Sequence, residues 1–305
     1  MLKQKSGIYR GRFAPSPSGS LHFGSLLAAT ASYLDAKAHQ GYWLLRIEDL
    51  DLPRVRRGAI NAILNTLECY GFEWDENILY QSQRFAVYKD IVDQLLAKEK
   101  AYLCSCSRKL LQSTAQLGQA GLIYPRHCVP RLYQPESPLR TVRLHCHDVA
   151  IQFRDRLQGQ QQQSIASEIG DFVIRRSDAV YAYQLAVVID DAYQGITDIV
   201  RGYDLLDNTA RQLYLQQLLS YPTPRYLHIP IAVDKSGNKL SKRNLAEELQ
   251  DEDALHNIHQ ALCFLGQNPP AKSHFSNLAD LWKWAIMHWN TTQLPAQGTL
   301  QYEHP

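Results

Sequence analysis

The amino-acid sequence predicts an α/β fold: a doubly wound parallel sheet, interrupted by an inserted α+β subdomain and followed by a short helical C-terminal part. Three observations carry that expectation. A strand, loop, helix, strand unit opens the chain; a stretch of short alternating segments with Cys, Pro and Gly begins at Ala101; helix and strand signals resume near Asp171. Residues 8–13 read as a strand, broken by the Pro-Ser-Pro-Ser-Gly loop that ends at Gly19. Ser20 is placed to cap the helix that follows. Leu26, Leu27, Thr30, Ala31 and Leu34 give its apolar stripe, and Gly41 stands where left-handed backbone closes a helix. A buried strand over 42–47 completes a βαβ element of a parallel sheet. Helices are expected over 59–70, ending at Gly71, and over 84–98, with Phe85, Tyr88, Ile91, Val92, Leu95 and Leu96 on one face.

The inserted segment contains an alternating run over 141–153 and a glutamine run over 158–163, read as a hairpin and its exposed tip. Beyond it, 171–176, 183–192, 196–201 and 208–220 continue the α/β layer, and a strand over 229–233 leads into the loop DKSGNKLSKRN. The tail after Leu245 is helical in pattern and carries Trp282, Trp284 and Trp289. The expected organisation is a first half of the α/β unit at 1–100, the insertion at 101–170, the second half at 171–244 and a helical segment at 245–305.

Composition narrows the function. The 305 residues are 45% apolar and 20% charged with a formal net charge of +2, which excludes a disordered chain and a polybasic tail and leaves any nucleic-acid contact to local patches. No apolar run exceeds five residues and MLKQKSG lacks a signal-peptide core, so a cytoplasmic protein without membrane contact is expected. Six cysteines, unevenly placed, do not make a disulfide framework.

Neither G-x-G-x-x-G nor G-x-x-x-x-G-K-[ST] occurs, so a phosphate site must be built in another way. RFAPSPSGSLHFGS places His22 and Gly24 where a strand turns into a helix, and backbone N–H groups at a helix start attract anions. A tight turn with a surface histidine is the plainer alternative. Far downstream, Lys239, Lys242 and Arg243 crowd one loop, which alone reads as a solvated basic segment. In the insertion, Cys104-x-Cys106 and Cys128 offer three thiolates for a tetrahedral Zn²⁺ site, or three buried free thiols; His127 is the more usual donor for a fourth position. Cys146, Cys69 and Cys263 fall in apolar patterns and are expected in the core.

Taken together, RFAPSPSGSLHFGSLLAA, RIEDLD, YQLAVVIDDAYQGITDIVRG and KLSKRN resemble the glutamyl branch of the class I aminoacyl-tRNA synthetases, whose paired signatures read HIGH and KMSKS. Two departures stand out: the first signature reads His22-Phe23-Gly24-Ser25, without its second histidine, and little chain follows the second, so no anticodon-binding domain is expected. That shortened form is similar to the members of the branch that attach glutamate to the queuosine base of tRNA(Asp). The resemblance implies a Rossmann-like catalytic domain, with ATP and Mg²⁺, L-glutamate and queuosine-modified tRNA(Asp) as partners, and a monomer is expected. It also implies Arg12, the Phe13, Ala14, Pro15 and Ser16 backbone, Tyr183 and Arg201 on the glutamate carboxylates, and Glu48 on the ammonium. Those charges complement an acidic amino acid, and the arginine fork suits a carboxylate. His22, Gly24, Lys239, Ser241 and Lys242 are implied at ATP, with His22 and Lys242 as the catalytic donors. The family's pattern puts Tyr124 beside Cys104, Cys106 and Cys128 at a structural zinc. A short synthetase charging the 3′ end of tRNA(Glu) and an inactive tRNA-binding paralogue are the other readings.

Overall fold

The computed structural model describes residues 7–118, 121–128, 140–240 and 248–302. In chain order the elements are β1 (Arg10–Phe13), α1 (Phe23–Ala38), β2 (Tyr42–Ile47), α2 (Ala59–Cys69), β3 (Leu79–Tyr80), α3 (Phe85–Ala97), β4 (Ala101–Cys104), α4 (Arg108–Thr114), β5 (Gln116–Gly118), β6 (Gly121–Ile123) and β7 (Thr141–Leu144). There follow β8 (Ala150–Asp155), β9 (Gly159–Ser164), β10 (Val173–Arg175), α5 (Tyr183–Tyr193), β11 (Asp198–Gly202), α6 (Thr209–Leu219), β12 (Arg225–Ile229), β13 (Ile231–Val233), α7 (Ala254–Phe264), α8 (Leu278–His288) and β14 (Thr299–Gln301).

The centre is parallel. β1 pairs with β2 in the register Arg12 to Leu44, β2 with β3, and β11 with β12 in the register Arg201 to His228. Arg10 joins the two groups: its carbonyl accepts from the Thr197 N–H at 3.0 Å and its own N–H donates to Thr197 Oγ1 at 2.8 Å. Both faces are covered, as strands with near-continuous apolar runs require. Because side chains alternate along a strand, Trp43, Leu45, Ile47, Val200, Leu227 and Ile229 face a cluster built by α1, α2, α7 and α8. Leu44, Ile199 and Tyr226 face the opposite cluster, built by α3, α5 and α6. That alternation also turns Arg12, Arg46, Glu48, Arg201 and His228 to the α5 side, and it assembles the polar site. Trp43 is fully buried, and replacing it by alanine would cost about 3–5 kcal/mol.

The inserted stretch contributes to two sheets. β4, β7 and β10 form an antiparallel sheet, and the β8–β9 hairpin adds to the parallel group through β12. Strand pairing therefore crosses residue 170. Asp35, fully buried on α1, binds Tyr9, both terminal nitrogens of Arg156 and the Trp289 indole, so one carboxylate ties the first strand, the β8–β9 turn and the C-terminal segment together.

Several expectations are corrected. His22, not Ser20, caps α1. Gly41 lacks the left-handed backbone, which falls on Gln40 at φ 52°; glycine is needed at 41 because a Cβ there would lie 2.4 Å from the Tyr9 carbonyl oxygen. The glutamine run is strand β9 paired to β8, with Gln163 buried, and the turn lies just before it. Pro230, which has no N–H to give, separates β12 from β13 where one strand over 229–233 was expected. Cys69 and Cys263 are exposed near the C-terminal ends of α2 and α7, while Cys146 is buried as expected. Among the described residues, no helix is long and apolar enough to cross a membrane.

Candidate active site

A cleft of about 630 Å³ opens at the C-terminal ends of β1 and β11 beside the start of α1, where ligands settle in open parallel sheets. Arg12, Phe13, Ala14, Pro15, Ser16, His22, Gly24, Glu48, Tyr183, Arg201 and Lys239 all line it. Ser241 and Lys242 lie outside the described residues. Their neighbours frame the same place. A Cβ on Gly24 would stand 3.2 Å from the Leu240 carbonyl oxygen, the Leu249 N–H donates to the Leu21 carbonyl at 3.1 Å, and His22 forms a bridge with Glu248. The described residues on either side of 241–247 therefore rest against the beginning of α1.

His22 is built into that helix start. Its Nδ1 accepts from the Ser25 N–H at 3.3 Å, which leaves the ring proton on Nε2 to reach Ser25 Oγ at 3.2 Å. The serine that replaces the second signature histidine is thus a direct partner of the first. On the opposite lip, Lys239 Nζ donates to Asp204 at 2.5 Å. Arg54 also lines the cleft, whereas Arg176 is ion-paired with Asp51 and Asp178.

Around Arg12, Glu48 and Arg201 the cleft is a buried charge network. Asp191 on α5 receives Arg12 Nε at 3.1 Å and Arg46 at 2.7 Å, and Arg46 also reaches Gln194 at 2.9 Å and Glu48 at 3.4 Å. Asp191 is held below the usual carboxylate range: burial acts to raise it, and the two arginines prevail. Glu48 moves the other way. Burial pushes it up to about 7 against the pull of Arg46 and Arg12, so its carboxyl is poised to gain charge when a cation arrives. Arg201 donates to Thr209 Oγ1 at 2.9 Å and to the Tyr183 hydroxyl at 3.4 Å, and its Nε donates to His228 Nε2 at 2.9 Å. Sequence reasoning missed Arg46, Asp191, His228 and Asp155. Arg46 and His228 stand alone as polar residues in apolar strands, which was the available signal; Asp191 follows Asp190, and Asp155 lies between Arg154 and Arg156, so the local sequence marks neither.

In the antiparallel region, Cys104, Cys106 and Cys128 place their sulfurs within 4.8 Å of one another, a spacing that could hold a metal ion. The Tyr124 hydroxyl lies 3.4 Å from Cys104 Sγ and 3.3 Å from Cys106 Sγ. His127 is exposed and bonds Thr114 at 3.2 Å, whereas the Tyr124 hydroxyl lies against the sulfurs.

Residues 9–293 match the model of the family described as tRNA synthetases class I (E and Q), catalytic domain. The chain belongs to that family. It is 52% identical over 295 residues to a protein of Pseudomonas aeruginosa named glutamyl-Q tRNA(Asp) synthetase, an alignment that covers 97% of this chain and 98% of the relative. A protein of the same name from Aromatoleum aromaticum is 47% identical over 305 residues, 100% of this chain and 96% of the relative. Among solved structures, the glutamate-tRNA synthetase of Elizabethkingia anophelis superposes with a TM-score of 0.79 at 24% identity, covering 97% of this chain and 68% of that one. That likeness bears on the fold: a mixed α/β synthetase domain with a parallel sheet.

Proposed function

We propose that this chain activates L-glutamate with ATP to form glutamyl-adenylate, without needing tRNA, and then transfers glutamate to the queuosine base at the wobble position of tRNA(Asp). One observation carries the reading. A single cleft collects the arginines, tyrosine and carboxylate that complement glutamate, and beside them the helix start and Lys239, which complement a nucleotide. Relatives bearing the corresponding name align over nearly the whole chain.

In this account Arg12, Tyr183, Arg201 and the backbone from Phe13 to Ser16 receive the two carboxylates, and Glu48 receives the ammonium. Charged arginine donors fix the orientation, and the buried surroundings strengthen each contact. A carboxylate oxygen of glutamate attacks the α-phosphorus of ATP; the bond from that phosphorus to the bridging oxygen breaks, and pyrophosphate leaves with its electrons. His22, the first turn of α1 at Gly24, Lys239, Ser241 and Lys242 meet the charge that builds on the phosphate oxygens. Fixed donors of this kind are worth about 10² to 10³ in rate. Mg²⁺ entering with ATP supplies further neutralisation. In the second step a hydroxyl of the modified base attacks the glutamyl carbonyl and AMP departs. Cys104, Cys106, Cys128 and Tyr124 would hold a structural Zn²⁺; three sulfurs and one oxygen suit its tetrahedral preference. The catalytic unit comprises 1–100 and 171–244, interrupted by the insertion at 101–170, whose β8–β9 hairpin joins the parallel group through β12, and followed by the segment 245–305.

ATP–pyrophosphate exchange with each amino acid, in the presence and absence of tRNA, tests the reading. Glutamate alone should support exchange, and tRNA should not be required. Exchange with another amino acid, or none without tRNA, contradicts it.

A further inference from the structure

His228 faces Arg201 across the β11–β12 pair and is fully buried. Its Nε2 lies 2.9 Å from Arg201 Nε, and its Nδ1 lies 2.6 Å from Asp155 Oδ2. An arginine nitrogen has only protons to offer, so Nε2 must present its lone pair. The ring is therefore neutral and carries its proton on Nδ1, donated to Asp155. Burial, joined by the charge of Arg201, drives His228 down to about 4 against the opposing pull of Asp155, in keeping with that neutral state. Asp155 is itself fixed: Oδ1 accepts the N–H groups of Leu157 at 2.9 Å and Gln158 at 2.8 Å.

We propose that His228 is a positioning residue for the glutamate pocket: by accepting from Arg201 Nε it sets the plane of the guanidinium, and Asp155, reaching in from the β8–β9 hairpin, fixes the tautomer that lets it accept. The proposal rests on the reading of Arg201 as a glutamate-binding arginine. With Nε committed to His228 and one terminal nitrogen to Thr209 at 2.9 Å and the Leu205 carbonyl at 3.3 Å, the other terminal nitrogen is left beside Tyr183 with only a 3.4 Å bond. That is the nitrogen positioned for a carboxylate. Remove the acceptor and a buried N–H loses its partner, so the guanidinium turns to find another and the fork no longer faces the substrate.

The same logic makes an isosteric change informative. In Asp155→Asn, the side-chain oxygen stays with the Leu157 and Gln158 amides, and the new amide donates towards His228 Nδ1. The ring must then accept there and carry its proton on Nε2, where it confronts the Arg201 Nε–H. Wrong-tautomer effects of this type are large in other buried carboxylate–histidine pairs.

The experiment compares D155N, H228Q, H228L and R201A in glutamate-dependent pyrophosphate exchange, with ¹⁵N imidazole spectra of the parent and D155N. H228L and D155N should raise the KM for glutamate at least about tenfold. The KM for ATP should stay within about twofold, a split that general loss of packing does not produce. H228Q, whose amide oxygen can still accept, should fall between parent and H228L. The spectra should show the proton on Nδ1 in the parent and on Nε2 in D155N. If H228L does not fold, D155N and H228Q decide. An unchanged KM for glutamate in folded D155N, or a parent ring protonated on Nε2, overturns the inference. R201A with an unchanged KM for glutamate overturns the pocket assignment itself, and the positioning role with it.

Discussion

Gly24→Ala separates the stability of α1 from its function. Gly24 sits in the first turn of α1 without left-handed backbone, so alanine meets no strain there, and helix propensity favours it by up to about 1 kcal/mol. The added Cβ, however, would lie 3.2 Å from His22 Cε1 and Nδ1 and 3.2 Å from the Leu240 carbonyl oxygen. Comfortable separations are about 3.5–4.0 Å, so the histidine ring and the loop strand must each yield by some tenths of an ångström. A misplacement of about 1 Å at reacting groups costs about 10²-fold, so this smaller one should cost about tenfold in kcat/KM for ATP. The assay is pyrophosphate exchange with ATP varied at saturating glutamate, alongside thermal unfolding. The expected result is a tenfold weaker enzyme with an unchanged or higher Tm. Exchange within twofold of the parent would refute the reasoning that close approach at Gly24 matters to the nucleotide, and a Tm lowered by several degrees would refute the claim that alanine is tolerated by the helix.

Burial holds Glu48 at about 7, and binding of an ammonium requires its carboxylate. The KM for glutamate should therefore rise about tenfold per unit as pH falls below 7 and level off above it, with Glu48→Gln abolishing the dependence; a flat parent profile between pH 6 and 8 contradicts this. The folded state holds that proton more firmly than the unfolded state, whose ordinary value is 4.5. Stability contributed by the neutral form is thus present below about 4.5 and lost as pH rises through about 7, which urea midpoints across that window check. Purification without chelator should yield about one equivalent of zinc, lost in Cys106→Ser together with stability; under about 0.2 equivalents in the parent counts against the site. Lys242→Ala should abolish exchange while leaving thermal unfolding unchanged, and activity within about threefold of the parent would remove Lys242 from the catalytic step.

The parts of the fold visible in the sequence were those with local causes. The Pro-Ser-Gly loop, the apolar stripe of α1 and the run from Tyr42 to Ile47 each declare an element within a few residues, and they place the first half of the cleft. Turn chemistry was less legible: Gly41 is required by the approach of the Tyr9 backbone, and that contact does not exist until β1 and β2 pair. Periodicity put Cys69 and Cys263 in the core, but each points away from a packing face that continues past it, with Leu67 and Tyr70, and Leu262 and Leu265, fully buried on either side. The glutamine run resembled a solvated tip because its strand is polar on both faces, and pairing with β8 is a non-local cause. At the cleft, residues matching the motifs were found and their supports were not. Arg46 is fully buried and ion-paired with Asp191 in a distant helix, and His228 is matched with Asp155 from another hairpin. Such pairs are specified by topology, so one strand read alone shows only a puzzling polar residue in an apolar run.

The most direct measurement follows labelled glutamate into purified tRNA(Asp) taken from cells that make queuosine and from cells that cannot. Label should enter only the queuosine-containing tRNA(Asp) and should persist when the 3′ terminal adenosine is removed. Incorporation into tRNA(Glu) at its 3′ end, indifferent to queuosine, would contradict the account.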